Sequence, residues 1–327
     1  MTQAISAAMI LFSILVPQKG WFTPAQPINV AVKSDQDVTL VLTDFVGKPI
    51  EAKGSADVSA NQSVDVKMLF PSTQNPGTYV LFATPKGDKA PPAGPPRNFL
   101  GTPLVIEALS DHRRDAPPGT IVTHVVPLQY AVMTTEAGPL KEIFYYDVAP
   151  HTVDSFLDLS ASGFFDGIVF HRIVPGFVIQ GGDPTGSGLG GPGYHIDAEF
   201  NDRPHQEGVL SMARNGDPNE DASSGIMPRP QFANSAGSQF FVCLDYQQTR
   251  QLDHRYTAFG KVIEGMDAVK KIAAGKIADP SRGMPEKPVS IVKVEVLPVT
   301  PKDNPYIDLM GGTPTTAPPG GGASTGN

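Results

Sequence analysis

The stretch that most constrains the fold is Phe170–Asp183 (FHRIVPGFVIQGGD), which reads as two short strands around a tight turn. Side chains alternate faces in an extended chain, so Phe170 and Arg172 share a face, as do Val178 and Gln180. Pro175-Gly176 supplies the turn, and Gly181-Gly182 closes the unit. A second stretch, Ser238–Phe241 (SQFF), places Gln239 and Phe241 on one face and Phe240 on the other. A groove bordered by both strands would hold a guanidinium, two carboxamides and several apolar side chains, with no obvious nucleophile. Such a groove is suited to binding a peptide and stabilising a distorted amide. It is poorly equipped for hydrolysis.

The 327 residues are enough for two domains. In the first, Ile28/Val30/Val32, Val38/Leu40/Leu42 and Val64/Val66/Met68/Phe70 alternate with polar or small neighbours, and Thr78–Ala83 is strongly β-prone. Turn chemistry at Gly47-Lys48-Pro49 and Asn75-Pro76-Gly77 separates these runs. The pattern predicts a small, Ig-like antiparallel β-sandwich over residues 21–112, with Pro91–Pro96 as an internal loop. Asp115–Gly119 (DAPPG) marks the boundary, within a linker at 113–126. The second domain, 127–298, opens with a hairpin of Gln129–Thr134 and Leu140–Tyr146. A helix over Thr152–Ser162 buries Val153, Phe156, Leu157 and Ser160, and a second runs over Met266–Ala274. A last strand, Ser290–Val296, turns Val292, Val294 and Val296 to one face. The Gly/Pro/Ser/Thr-rich end predicts a disordered tail at 299–327.

A net charge of −8 gives no basic footprint, so nucleic acid is not an expected partner. The single cysteine, Cys243, lies in the apolar run FFVCL and reads as a buried residue. It excludes an intramolecular disulfide and a cysteine-rich metal site. Residues 4–16 (AISAAMILFSILV) are an apolar run too short to span a bilayer but long enough for a signal-peptide core at 1–20. Export to a periplasm or cell envelope is therefore expected. A buried strand or helix there would instead imply a cytoplasmic protein. His195-x-Asp197-x-Glu199 has metal-ligand character by type, but spacing of this kind arises by chance. Thr185–Gly193 lacks the Gly-Lys-Ser/Thr ending of a phosphate loop. No metal, nucleotide or other cofactor is expected.

Taken in order, Gly163–Gly167 (GFFDG), Phe170–Asp183, Gly190–Tyr194 (GGPGY), Gly208–Ala213 (GVLSMA), Ser238–Phe241 and Phe259–Val262 (FGKV) resemble the cyclophilins, a class of peptidyl-prolyl cis–trans isomerases. The resemblance covers about half the chain. It implies a mainly β protein whose second domain is a closed antiparallel barrel with two helices, acting on X–Pro bonds in proteins without a cofactor. By the family pattern Arg172 is the catalytic residue. Phe177, Val178, Phe241 and Leu252 line the proline pocket, Gln180 and Gln239 orient the peptide, and Ala213 and Arg214 contact residues preceding proline. Val178 stands where many relatives carry methionine. Tyr256 stands where histidine is common and still offers an aromatic edge and a hydroxyl. Gln251 occupies the tryptophan position associated with cyclosporin, which puts cyclosporin binding in doubt. Arg214–Ala233 is an insertion expected to lie beside the groove. The implied partners are proline-containing polypeptides, bound by a monomer that assists folding. The rival reading is a proline-peptide scaffold with little turnover.

Overall fold

Strand-forming residues dominate the N-terminal part, and they fold into two antiparallel sheets across a common core. The computed structural model describes residues 13–110 and 121–311. One sheet has three strands, Leu15–Pro17, Asn29–Val32 and Ser63–Asp65. The other has seven: Trp21–Phe22, Ile121–Pro127, Leu100–Ser110, Gly77–Pro85 and Val38–Asp44 follow in spatial order, with Pro49–Ile50 and Asp57–Val58 both pairing with the last. Leu15, Val30 and Val32 of the small sheet meet Leu40, Leu42, Leu81 and Ile106 of the large one.

The large sheet is covered on its second face as well. Val41, Val80, Phe82 and Val105 point away from the sandwich core and join the core of the C-terminal barrel. Tyr79–Thr84 is consequently buried at every position, the signature of a strand enclosed on both sides.

Three local readings differ from the sequence pattern. Alternation over Val64–Phe70 suggested a strand, but Val66–Leu69 is one helical turn. Asp65 caps it by accepting from the Lys67 amide at 3.0 Å, and it also takes the Ile28 amide. Val66 and Phe70 are then buried four residues apart while Met68 is 71% exposed. Ile121–Val126, assigned to the linker, belongs to a strand paired with Leu100–Ser110, as its β-branched content favours. Leu15–Pro17, which begins at the end of the apolar N-terminal run, pairs with Asn29–Val32. Residues 4–12 of that run, the Asp115–Gly119 interruption and the Thr313–Asn327 segment lie outside the described residues.

The C-terminal part is an eight-stranded antiparallel sheet in the order 172–174, 178–181, 240–243, 209–212, 258–264, 138–144, 129–135, 291–298. It curls until its ends meet. A bridge joins Val169 to Ser290, and the Phe170 amide donates to Val289 O at 2.9 Å. The first long helix, Pro150–Ala161, buries Val153, Phe156, Leu157 and Ser160. Phe156 inserts among Phe144, Phe165, Phe240 and Phe259 at ring separations of 5.1–5.6 Å. The second, Met266–Ala273, buries Ala268, Val269 and Ile272. Val292, expected inward, is 52% exposed. Thr134 pairs with Lys293 and Thr135 with Ile291, so Val292 is the extra residue of a bulge and turns out.

The region after 298 was expected to be disordered, yet Val299, Tyr306 and Met310 are fully buried. The Tyr306 hydroxyl accepts from the Phe144 amide at 3.0 Å and donates to Gln129 O at 2.6 Å. Its ring also meets Phe45 of the sandwich edge-on at 6.1 Å. Gly47 (φ +88°) is required beneath this strap, because a Cβ there would lie 2.0 Å from Met310 O. Aromatic and apolar anchors four residues apart were the signal that composition alone concealed.

Candidate active site

Register assembles the site. Arg172 pairs with Gln180, Gln180 with Phe241, and Phe241 with Ser211, so four side chains from neighbouring strands share the outer face of the barrel. The alternate residues Ile173, Ile179, Phe240 and Val242 enter the barrel core. Single-residue alternation thus separates packing from the candidate chemistry.

Half of this outer face is apolar. Val178, Val209, Phe241, Cys243, Leu252 and Ala258 form a small separate cluster, with Phe177, Ala213 and Tyr256 packed against it. Phe241 meets the Tyr256 ring edge-on at 5.8 Å. Behind it lies His205, its ring roughly parallel to Phe241 at 6.3 Å. His205 pairs with Asp253 through Nδ1 at 2.9 Å and with Ser211 Oγ through Nε2 at 3.0 Å. Burial lowers the His205 pKa. This Ser–His–Asp arrangement has the residue types of a hydrolase, but Ser211 is fully buried and its hydroxyl donates to Thr257 O. It supports the floor. Cys243 is also fully buried, which pushes its thiol pKa up.

The other half is polar and hydrogen-bonded in series. Arg172 Nη1 donates to Gln180 Oε1 at 3.2 Å, and Gln180 Nε2 donates to Gln239 Oε1 at 3.0 Å. Gln239 Nε2 in turn donates to the carbonyls of Gly188 and Gly190 at 3.1 and 2.8 Å. A cavity of about 460 Å³ opens here, lined in part by Gln180, Gly190, Ala213, Asn215 and Gln239. Its glycine-rich wall is held by Asp183, whose carboxylate accepts from the Thr185 amide, the Thr185 hydroxyl and the Gly188 amide at 2.7, 2.8 and 2.5 Å. Burial alone would raise this carboxyl, but hydrogen bonds from Thr185, Gly190 and Gly188 hold it at about 2. Gly182 (φ +82°) lets the two strands approach, since a Cβ there would meet Ser238 O at 2.2 Å.

Arg214 borders the cavity, but its guanidinium is engaged elsewhere. It stacks on the Tyr256 ring at 4.2 Å and binds both oxygens of Glu220 at 2.7 and 2.8 Å. Glu220 also accepts from Arg255 at 3.0 Å. Arg229 grips Asp217 through Nε and Nη2 at 2.9 and 2.7 Å. The Arg214–Ala233 insertion is thereby tied to the groove rim. Gln251 is exposed, its amide donating to Gln248 O. The His195/Asp197/Glu199 set does not gather as ligands among the described residues. Glu199 instead takes the amides of His151 and Thr152 and the Thr152 hydroxyl at 3.1, 2.8 and 2.7 Å, satisfying the start of the first helix.

The curled barrel, with an apolar floor beside an arginine–glutamine chain and no exposed nucleophile at its centre, defines a groove for holding a peptide. Comparison with known proteins gives the class. The family model for cyclophilin type peptidyl-prolyl cis-trans isomerases matches residues 130–296, about half the chain. The chain belongs to this family and is an isomerase of X–Pro peptide bonds. A peptidyl-prolyl cis-trans isomerase of Synechococcus elongatus is 42% identical over 147 residues, 44% of this chain and 89% of that protein. One from Helicobacter pylori is 38% identical over 155 residues, 46% and 83% of the two chains. Isomerase B of Bacillus subtilis is 40% identical over 135 residues, 41% and 82%. A solved cyclophilin type isomerase of Cryptosporidium parvum is 32% identical with a TM-score of 0.44, covering 52% of this chain and 97% of that one.

Proposed function

We propose that Arg172 is the catalytic residue of this isomerase, acting on proline held over the Phe177/Val178/Phe241/Leu252 floor. X–Pro rotation must give up amide resonance against a barrier of roughly 18–20 kcal/mol. As the amide twists, the prolyl nitrogen regains a lone pair and becomes a hydrogen-bond acceptor. A guanidinium stays charged and presents a rigid fork of N–H groups, so it can donate to that nitrogen in the twisted state. A ten-thousand-fold acceleration needs only about 5.5 kcal/mol of such selective stabilisation. Because no covalent bond is made or broken, the reaction needs no nucleophile.

The observation that carries this reading is the Arg172–Gln180–Gln239 series beside the apolar floor. Gln180 fixes one N–H of Arg172 and so pre-sets the direction of the rest, which is electrostatic preorganisation. Gln180, Gln239 and the backbone at Ala213 orient the flanking peptide. Arg214 contributes through its backbone and through stacking under Tyr256. The substrates are proline-containing segments of folding polypeptides, and the site of action is outside the cytoplasm, a reading motivated by the apolar run at 4–16. Cyclosporin binds weakly because Gln251 supplies no indole. Arg172→Ala separates catalysis from binding. Turnover should collapse while peptide affinity is spared, whereas equal losses in both would make Arg172 a binding residue. N-terminal sequencing of protein recovered from the cell envelope tests export, and an intact terminus on cytosolic protein would refute it.

A further inference from the structure

A polar row also crosses the large N-terminal sheet, on the face turned toward the barrel. Trp21 pairs with His124, and His124 with Glu107, on three adjacent strands. The Trp21 ring stacks on the His124 imidazole at 4.0 Å. The first helix of the isomerase brings Asp154 over this row. Glu107 Oε2 and Asp154 Oδ2 both approach one ring nitrogen, His124 Nδ1, at 2.9 and 3.1 Å. The Glu107 and His124 side chains are 0% and 1% exposed, and Asp154 is 20% exposed at the mouth.

As an ion-pair network this arrangement is incomplete. A proton on Nδ1 lies along one direction and cannot serve two carboxylates equally. Glu107 Oε1 is buried without a hydrogen-bond partner. Among the described residues, no lysine or arginine forms an ion pair with either carboxylate.

The geometry points to a divalent-cation site formed by Glu107, His124 and Asp154, taking a first-row ion of the Mn²⁺ or Zn²⁺ class and joining the sandwich to the isomerase helix. One donor atom from each residue lies within 4.8 Å of the other two. Bonds of about 2.1 Å put neighbouring donors about 3.0 Å apart at the right angles of a six-coordinate ion and about 3.4 Å apart around a tetrahedral one. The 2.9 and 3.1 Å separations around Nδ1 lie close to the first. Mixed imidazole and carboxylate donors suit such ions better than Ca²⁺ or Cu⁺. The unpartnered Oε1 supplies a further donor or accepts from a bound water, and the exposed edge of Asp154 gives an entry path. Two carboxylates around a divalent ion are then neutralised in place.

The test uses the full chain stripped with chelator and titrated with MnCl₂ or ZnCl₂ by calorimetry, with melting followed in parallel. We expect one ion per chain, a melting midpoint that rises with metal concentration, and binding weakened by more than about tenfold in Glu107→Gln and Asp154→Asn. Asp197→Asn, in the other His/Asp/Glu run, should bind as the wild type does. If the buried Glu107→Gln variant does not fold, Asp154→Asn and pulsed EPR of the wild-type Mn²⁺ complex decide. Imidazole-nitrogen modulation supports the site. No uptake by the wild type, undiminished binding in Asp154→Asn, or a Mn²⁺ signal without nitrogen coupling would each overturn it.

Discussion

Two cross-strand rows of side chains run through the molecule, Arg172–Gln180–Phe241–Ser211 on the barrel and Trp21–His124–Glu107–Thr78 on the sandwich. They differ in what lies above them. The Arg172 and Gln180 end of the barrel row opens onto a groove, where Arg172 bonds Gln180 and Gln180 bonds Gln239 in series with donors to spare. The sandwich row is roofed by the isomerase helix, and its buried acid retains an oxygen with no partner. An open row can present hydrogen bonds to a substrate whose shape changes. A sealed row can act only on the protein that encloses it. Substitutions at the groove should therefore register in turnover, and substitutions at the junction in stability.

The largest expected effect is at the junction core. Phe82 is fully buried where the sandwich meets the barrel and packs edge-on against Phe99 at 5.5 Å. Phe82→Ala should lower unfolding free energy by about 3–5 kcal/mol in urea titration while turnover per folded molecule is retained. A proportionate loss of turnover would erase the distinction between the rows. Tyr306→Phe removes a hydroxyl that bonds both Phe144 N and Gln129 O. It should cost about 1–3 kcal/mol by leaving both groups unsatisfied, again read in the unfolding midpoint. At the groove the balance reverses. Gln239→Ala frees Gln180 and the Gly188–Gly190 wall, and turnover should fall about tenfold with less than about 1 kcal/mol lost in stability.

The smallest effect is a pH response. Asp183 titrates near 2 when folded, below the ordinary aspartate value near 3.9. Its contribution is complete above about pH 4 and is lost as pH falls toward 2. Acidification across that window should loosen the wall before the barrel unfolds, seen as faster amide exchange at Gly188 and Gly190. Asp183→Asn should abolish the step, and an unaltered step would assign it to another carboxyl.

The groove was legible in the sequence because its residues lie within short strands, where alternation assigns faces without knowledge of the fold. Arg172–Gln180 and Gln239–Phe241 each carried their own geometry, and the order of family strings gave the barrel. Phe170, expected on the Arg172 face, instead lies in the barrel core against Phe240, because the strand begins only at Arg172. The junction was not legible. Glu107, His124 and Asp154 come from two strands and a helix, and only register and docking bring them together. The local run His195-x-Asp197-x-Glu199 offered a metal pattern by spacing, but Glu199 is taken by the helix start. Alternation also failed where a cap or a bulge intervened, at Asp65 and Val292, because one hydrogen bond or one extra residue reverses the faces. Over Tyr79–Thr84 the two-sided burial reflected the barrel, which strand chemistry alone cannot reveal.

The central claim is that Arg172 stabilises the twisted prolyl amide. Exchange NMR on an Ala-Pro peptide, with the full-length wild type beside Arg172→Ala, measures that step directly. The account predicts cis–trans exchange cross-peaks with catalytic wild type, and a rate about 10²–10³-fold lower in the variant with peptide binding intact. Undiminished exchange in a folded Arg172→Ala protein would contradict the claim, and binding without accelerated exchange in the wild type would support the scaffold reading.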